Sequence, residues 1–274
     1  MKTGRSVVMV ALAALIVISM ATHASAEWIT MTSGAATVEI DPETPDGVFN
    51  WTILETSHLS QQWFWIRTDM EGLYDDREYS LDEISEPAIS QPADNIVELT
   101  YDDERIRVEV RYVLVGGPGL LSADLAEIIS ITNLTDIEIE VDFFQYSDFD
   151  LGGTEDDGFL TITGGHTATQ SDVVAGFTMS ETVVGRNPEL SEVAIYSSTL
   201  DKLQDGLIDD LDGSTHIDGP ADLTWAFQWQ ERAILPNEAL VIGKDKLIEA
   251  VPEPSAAFVL VAGLAGLVSR KRRK

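Results

Sequence analysis

The chain has no cysteine among its 274 residues. Thiol catalysis, thiolate metal sites and disulfide staples are therefore excluded, and stability must come from packing. Basic residues are scarce: 17 Lys and Arg stand against 47 Asp and Glu, for a formal net charge of −30. Phosphate recognition needs the opposite sign, which removes nucleic acid and anionic lipid from the expected partners. Histidine is nearly missing too. His23, His58, His166 and His216 lie far apart, and none falls in a metal-ligand spacing such as His-Glu-x-x-His. A Gly-x-Ser-x-Gly nucleophile elbow is also absent. Carboxylates, in contrast, are so abundant that some pair will always lie close together. Glycoside hydrolysis by paired acids therefore leaves no readable signal in the sequence.

Long apolar runs are confined to the two ends. Near the start, Lys2 and Arg5 precede an apolar stretch from Val7 to Ile18, followed by Ala24-Ser25-Ala26. A basic n-region, an apolar h-region and a small-x-small site make a secretory signal peptide cleaved after Ala26, so residues 1–26 are expected to be removed. The Sec machinery and signal peptidase are the implied partners. At the other end, Val251-Pro252-Glu253-Pro254-Ser255 is followed by 13 apolar residues and then Arg270, Lys271, Arg272, Arg273 and Lys274. As a helix the run is roughly 20 Å long, short of a hydrocarbon core of about 30 Å. The basic cluster places the terminus in the cytoplasm. Pro252 and Pro254 keep the preceding segment extended and accessible.

This three-part tail, residues 251–274, resembles the PEP-CTERM sorting signal of Gram-negative bacteria. Pro252, Glu253 and Pro254 carry the motif, and Arg270 to Lys274 its basic end. The resemblance implies recognition by an exosortase at the inner membrane. The tail would hold the chain there briefly by a short transmembrane helix, then be removed on delivery to the outer surface or extracellular matrix. The blocks 131–135, 143–150 and 225–229 of the body are similar to exported proteins of the same class, and bring no catalytic residue with them.

Between the two signals, residues 27–250 read as one all-β domain. Apolar residues alternate at 106–114, 137–143 and 223–229, the period of a strand with one buried face. Weaker strands are predicted at 50–55, 63–67, 96–101, 122–131, 159–163, 173–179, 192–196 and 240–247, with Gly, Pro, Asn and Asp clusters between them. One short helix is predicted over 199–211, interrupted at Asp205-Gly206. The pattern predicts an antiparallel β-sandwich, with a Greek-key connection or a barrel as variants.

Two features of the body have ligand chemistry. An acidic, Gly-bearing loop holds Asp148, Asp150, Glu155, Asp156 and Asp157, hard oxygen ligands suited to Ca²⁺, although the EF-hand spacing fails. A second acidic loop holds Asp205, Asp209, Asp210 and Asp212, and it misses that spacing as well. Trp63 and Trp65 share a strand face and would form a glycan-stacking platform if exposed, or core if not. Trp225 and Trp229 read as core. No cofactor is required, with Ca²⁺ the one candidate. With no catalytic motif, the sequence predicts a non-enzymatic protein with a structural or adhesive role at the cell surface, and exopolysaccharide as a partner. A glycan-binding module is the alternative, and a secreted carboxylate hydrolase the third reading.

Overall fold

A computed structural model of the protein describes residues 28–117, 121–155 and 158–251. Both sorting signals except Val251 lie outside those residues, as do Asp156 and Asp157. The described strands are β1 (Ile29–Ser33), β2 (Ala36–Asp41), β3 (Gly47–Ile53), β4 (Thr56–Ser57), β5 (Gln61–Thr68), β6 (Tyr79–Ser80), β7 (Ala88–Ala93), β8 (Ile96–Asp102), β9 (Ile106–Gly116), β10 (Ser122–Asn133), β11 (Ile139–Asp148), β12 (Gly158–Thr163), β13 (Thr167–Asp172), β14 (Phe177–Val184), β15 (Leu190–Ile195), β16 (Leu223–Ile234) and β17 (Ala239–Ala250). One α-helix, α1 (Ser198–Gln204), follows β15 and stops at Asp205, before Gly206. Among the described residues no helix is long and apolar enough to cross a membrane.

The strands form two sheets packed as a β-sandwich. One runs β1-β2-β3-β5-β11-β16-β15, with β4 on β3 and β6 on β5; the other runs β12-β13-β14-β17-β10-β9-β8-β7. Pairing is antiparallel except where Gly47 and Val48 of β3 meet Gln62 of β5. The alternation seen in the sequence sets the register. On β9 the side chains of Ile106, Val108, Val110, Tyr112 and Leu114 are buried, while Glu109 and Arg111 face water.

The nine-stranded sheet is different. Seven consecutive residues of β5, Gln62 to Thr68, are buried. So are the last six of β11 and the first seven of β16. Its inner face packs on the other sheet; on the outer side the 3-10 turn Leu81–Glu83 contacts β5, and α1 contacts β15 and β16. Of the two readings open for Trp63 and Trp65, core is the one found and the stacking platform is ruled out: they are 0% and 1% exposed. The indole N–H of Trp63 donates to Ser80 Oγ at 2.9 Å, and Trp65 pairs with Ser80 across the sheet and shares a small pocket with Asp82 and Leu203. Trp225 and Trp229 are also fully buried.

Four charged side chains lie inside the sandwich. Glu127 of β10, Glu181 of β14, and Lys244 and Lys246 of β17 occupy inward-facing positions and are at most 1% exposed. Lys244 Nζ stands 2.6 Å from Glu127 and 3.4 Å from Glu181. Lys246 pairs with Glu127 and hydrogen-bonds Gln62 Oε1 of the opposite sheet at 3.4 Å. The Trp225 indole N–H, also from the opposite sheet, donates to Glu181 at 3.0 Å. Two acids and two bases cancel in charge and tie the sheets together.

Three of the four outer strands take a backbone bond from a neighbouring segment. Segment 214–221 bonds along β12 and β15, through Ile162 N–H to Thr215 O and Val193 N–H to Ser214 O. The Thr32 N–H of β1 donates to Asp94 O. On β7, where all six residues are exposed, the ladder breaks between Ser90 and Ala93, at Pro92.

Candidate functional site

A cavity of about 560 Å³ opens at one end of the nine-stranded sheet. The topology explains its composition. Asp148 closes β11 and pairs across the sheet with Gln61 of β5 and Thr224 of β16. Asp222 immediately precedes β16, and its carbonyl accepts from the Tyr196 N–H at 3.1 Å. Asp41 ends β2 and Asp46 precedes β3, so strands distant in sequence deliver their ends to one place. The turn Pro45-Asp46-Gly47 requires glycine at its last position. Gly47 has φ of +57°, and a Cβ there would fall 2.1 Å from the Trp63 ring.

Six carboxylates line the cavity: Asp41, Asp46, Asp148, Asp150, Glu155 and Asp222. No basic side chain is among the described residues lining it. One oxygen each from Asp148, Asp150 and Asp222 lies within 4.8 Å of the others. The Ser60 hydroxyl donates to Asp150 Oδ2, and the Ser60 N–H to the Asp148 carbonyl at 3.0 Å. Burial, then the charges of Asp150, Asp222 and Glu155, push the Asp148 carboxyl up to about 8. Asp150 is raised by burial and by Glu155, against the Ser60 hydrogen bond. Behind the wall, His58 Nδ1 accepts the Gly152 N–H at 3.1 Å. Burial lowers the His58 imidazole to about 4, so it is neutral and holds the turn that follows Asp150.

The rim is aromatic. Trp28 is 60% exposed, and its ring meets Phe49 edge to face at 5.1 Å and 62°. Phe49 and Tyr196 also line the cavity.

Of the residues singled out in the sequence, Asp148, Asp150 and Glu155 come together here, joined by Asp222, which the loop reading missed. The second acidic loop has a structural role. Asp210 pairs with Arg67 at 2.8 Å and accepts from Gln228 at 2.7 Å, and Asp212 caps the Ser214 N–H at 2.7 Å. His166 and His216 lie outside the cavity lining. Ala24, Ala26, Pro252 to Ser255 and Arg270 to Lys274 are outside the described residues. Val251 is described, and its N–H donates to Gly176 O at 2.8 Å.

No protein-family model and no curated protein matches the chain. Solved structures do. A protein from Escherichia coli K12 assigned as an aldose 1-epimerase aligns over 82% of this chain and 99% of its own, with a TM-score of 0.57 at 10% identity. A galactose mutarotase related enzyme from Lactobacillus acidophilus aligns over 83% and 99%, at 0.54 and 8%. A bacterial glucoamylase complexed with acarbose aligns over 87% of this chain and 34% of its own, at 0.55 and 9%. At such identities the likeness is one of fold. It corrects the structural or adhesive, non-enzymatic body expected from the sequence, because the solved structures that share this fold are named as carbohydrate-processing enzymes. Motif searching missed this because the likeness resides in strand order and not in local residue patterns.

Proposed function

We propose that the protein is a carbohydrate-modifying enzyme whose sugar lies in the acidic cavity with one ring face on Trp28. The observation that carries the reading is this exposed indole, braced by Phe49, on the rim of a carboxylate-lined cavity. A sugar presents an apolar ring face and a fringe of hydroxyls. An aromatic plate beside hydrogen-bond acceptors matches both, and the cavity volume falls in the usual range for small-molecule sites, about 300–1,000 Å³. Carboxylates exchange protons with sugar oxygens in both anomer interconversion and glycosidic cleavage. The Asp148, Asp150 and Asp222 oxygens, within 4.8 Å of one another, are nearer to the about 5–5.5 Å of a retaining glycosidase pair than to the about 6.5–9.5 Å of an inverting one.

Trp28→Ala tests the seat. Anomer interconversion followed by NMR, and release of reducing ends from oligosaccharides, are measured on a panel of aldoses and their polymers. The expected result is a KM raised about tenfold, equivalent to about 1.4 kcal/mol of lost binding, with kcat nearly unchanged, because stacking binds ground and transition states alike. An unchanged KM on every sugar turned over, or no turnover by the parent chain, rejects the reading.

The two end segments support export and delivery to the cell surface, which would set the enzyme among extracellular polysaccharides. Triple alanine substitution of Pro252, Glu253 and Pro254 is expected to leave an unprocessed chain in the inner membrane. Surface delivery and a terminal mass equal to the parent's would reject sorting by this motif.

A further inference from the structure

We propose that Asp148, Asp150 and Asp222 together bind one divalent cation of calcium's size. Their three oxygens lie within 4.8 Å of one another. Ca²⁺ holds oxygens at about 2.3–2.6 Å, so ligands on opposite sides of it stand about 4.6–5.2 Å apart. The trio fits within that span. Mg²⁺, at about 2.0–2.1 Å and near-octahedral, dehydrates reluctantly and keeps more of its own water.

Acid clusters are common in a chain with 47 acidic residues, and proximity alone would carry little weight. The independent observation concerns Asp148 itself. Among the described residues six carboxylate side chains are buried: Glu78, Glu127, Asp148, Asp172, Glu181 and Glu192. Glu78 has Arg67 at 2.6 Å. Glu127 and Glu181 share the two interior lysines. Asp172 accepts from Thr154 and two backbone N–H groups, and Glu192 from Thr199 and Lys202. Asp148 alone in this group has no cation and no donor on its side chain. It is 5% exposed, and its Oδ1 is buried without a partner. A buried carboxylate oxygen left unpaired is costly. Each of the other five is answered by a positive charge or by donors from the chain. Asp148, Asp150 and Asp222 bring their oxygens to one place, and a bound cation there supplies the counter-charge that Asp148 lacks.

Three protein ligands leave several of the six to eight Ca²⁺ positions to the cavity. Sugar hydroxyls are suited to fill them, a role that rests on the sugar reading above. Cation capture needs no sugar and is tested without one.

The full chain is stripped with EDTA and titrated with CaCl₂ alone, by calorimetry and by melting temperature. The expected result is saturable binding of one ion and a higher Tm. Asp222→Asn and Asp150→Asn each weaken the affinity at least tenfold, while Glu71→Gln, an exposed acid outside the cavity, leaves it unchanged. Tb³⁺ luminescence, competed away by Ca²⁺, gives a second readout on variants whose circular dichroism matches the parent. Absence of saturable Ca²⁺ binding, or equal affinity in the parent and in both cavity variants, overturns the inference. Neither result bears on Trp28 and its sugar, which are tested separately.

Discussion

A chain carrying Glu127→Leu unfolds at a urea concentration far below that of the parent. Glu127 is the shared partner of Lys244 and Lys246, all three at most 1% exposed. Without it, two ammonium groups remain in the sandwich with only Glu181, at 3.4 and 3.7 Å. Breaking a buried ion pair by removing one partner costs about 3–5 kcal/mol, because the survivor stays desolvated and unpaired. That is a large part of the about 5–15 kcal/mol that holds a domain folded. The same reasoning fixes the sign of the control. Glu127→Leu combined with Lys244→Met removes one charge of each sign, leaves Lys246 with Glu181, and is expected to recover much of the loss. Midpoints and m-values from urea titration, read by tryptophan fluorescence, provide the double-mutant comparison. A single variant as stable as the parent would show that the sandwich tolerates unpaired charge at this place.

The second large effect is a dependence of stability on pH that centres on Asp148. Its carboxyl is raised to about 8 by burial and by the carboxylates of Asp150, Asp222 and Glu155, whereas an unfolded aspartate titrates near 4. Between those values the folded state holds a proton that the unfolded state has released. Linkage then makes stability fall as pH rises through that window, and the whole cost is present above the folded value. At about 1.4 kcal/mol per unit, a shift of this kind amounts to a few kcal/mol. In EDTA, so that no cation takes the proton's place, Asp148→Asn is expected to melt close to the parent at pH 5 and well above it at pH 9. Asn has the shape of Asp148 without its charge. Parallel melting curves for the two chains from pH 5 to 9 would remove Asp148 as the source of the cost.

These effects also mark how far the sequence could be read. Strands with one wet face were legible: β9 shows its burial in the alternation of Ile106, Val108 and Val110 with Arg107, Glu109 and Arg111. The helix was legible up to Asp205-Gly206, where it ends; its predicted continuation to 211 does not form. The middle of the nine-stranded sheet was not. Once both faces of β5 are covered, alternation no longer separates inside from outside, and Trp63 and Trp65 look the same in sequence whether they are core or platform. Glu127 was hidden for another reason. It stands in phase with Leu125, Ile129 and Ile131, and only the lysines of β17 explain why a charge occupies an inward position. Half of the cavity could be anticipated from the loop after β11. Asp222 and Trp28 could not, because antiparallel pairing of β11 with β16, and of β1 with β2 and β2 with β3, brings them there from distant parts of the chain. No local signal encodes those pairings.

The closed sheet edges bear on how this chain behaves when crowded. An open edge strand is a template on which a second chain can add its own strand, and repeated addition produces fibres. Here segment 214–221 bonds along two of the outer strands and Asp94 takes up a donor of a third. The fourth, β7, carries Pro92, which has no N–H to offer an incoming strand. At these points the backbone itself hinders strand-to-strand addition, in a way that salt or divalent ions do not screen.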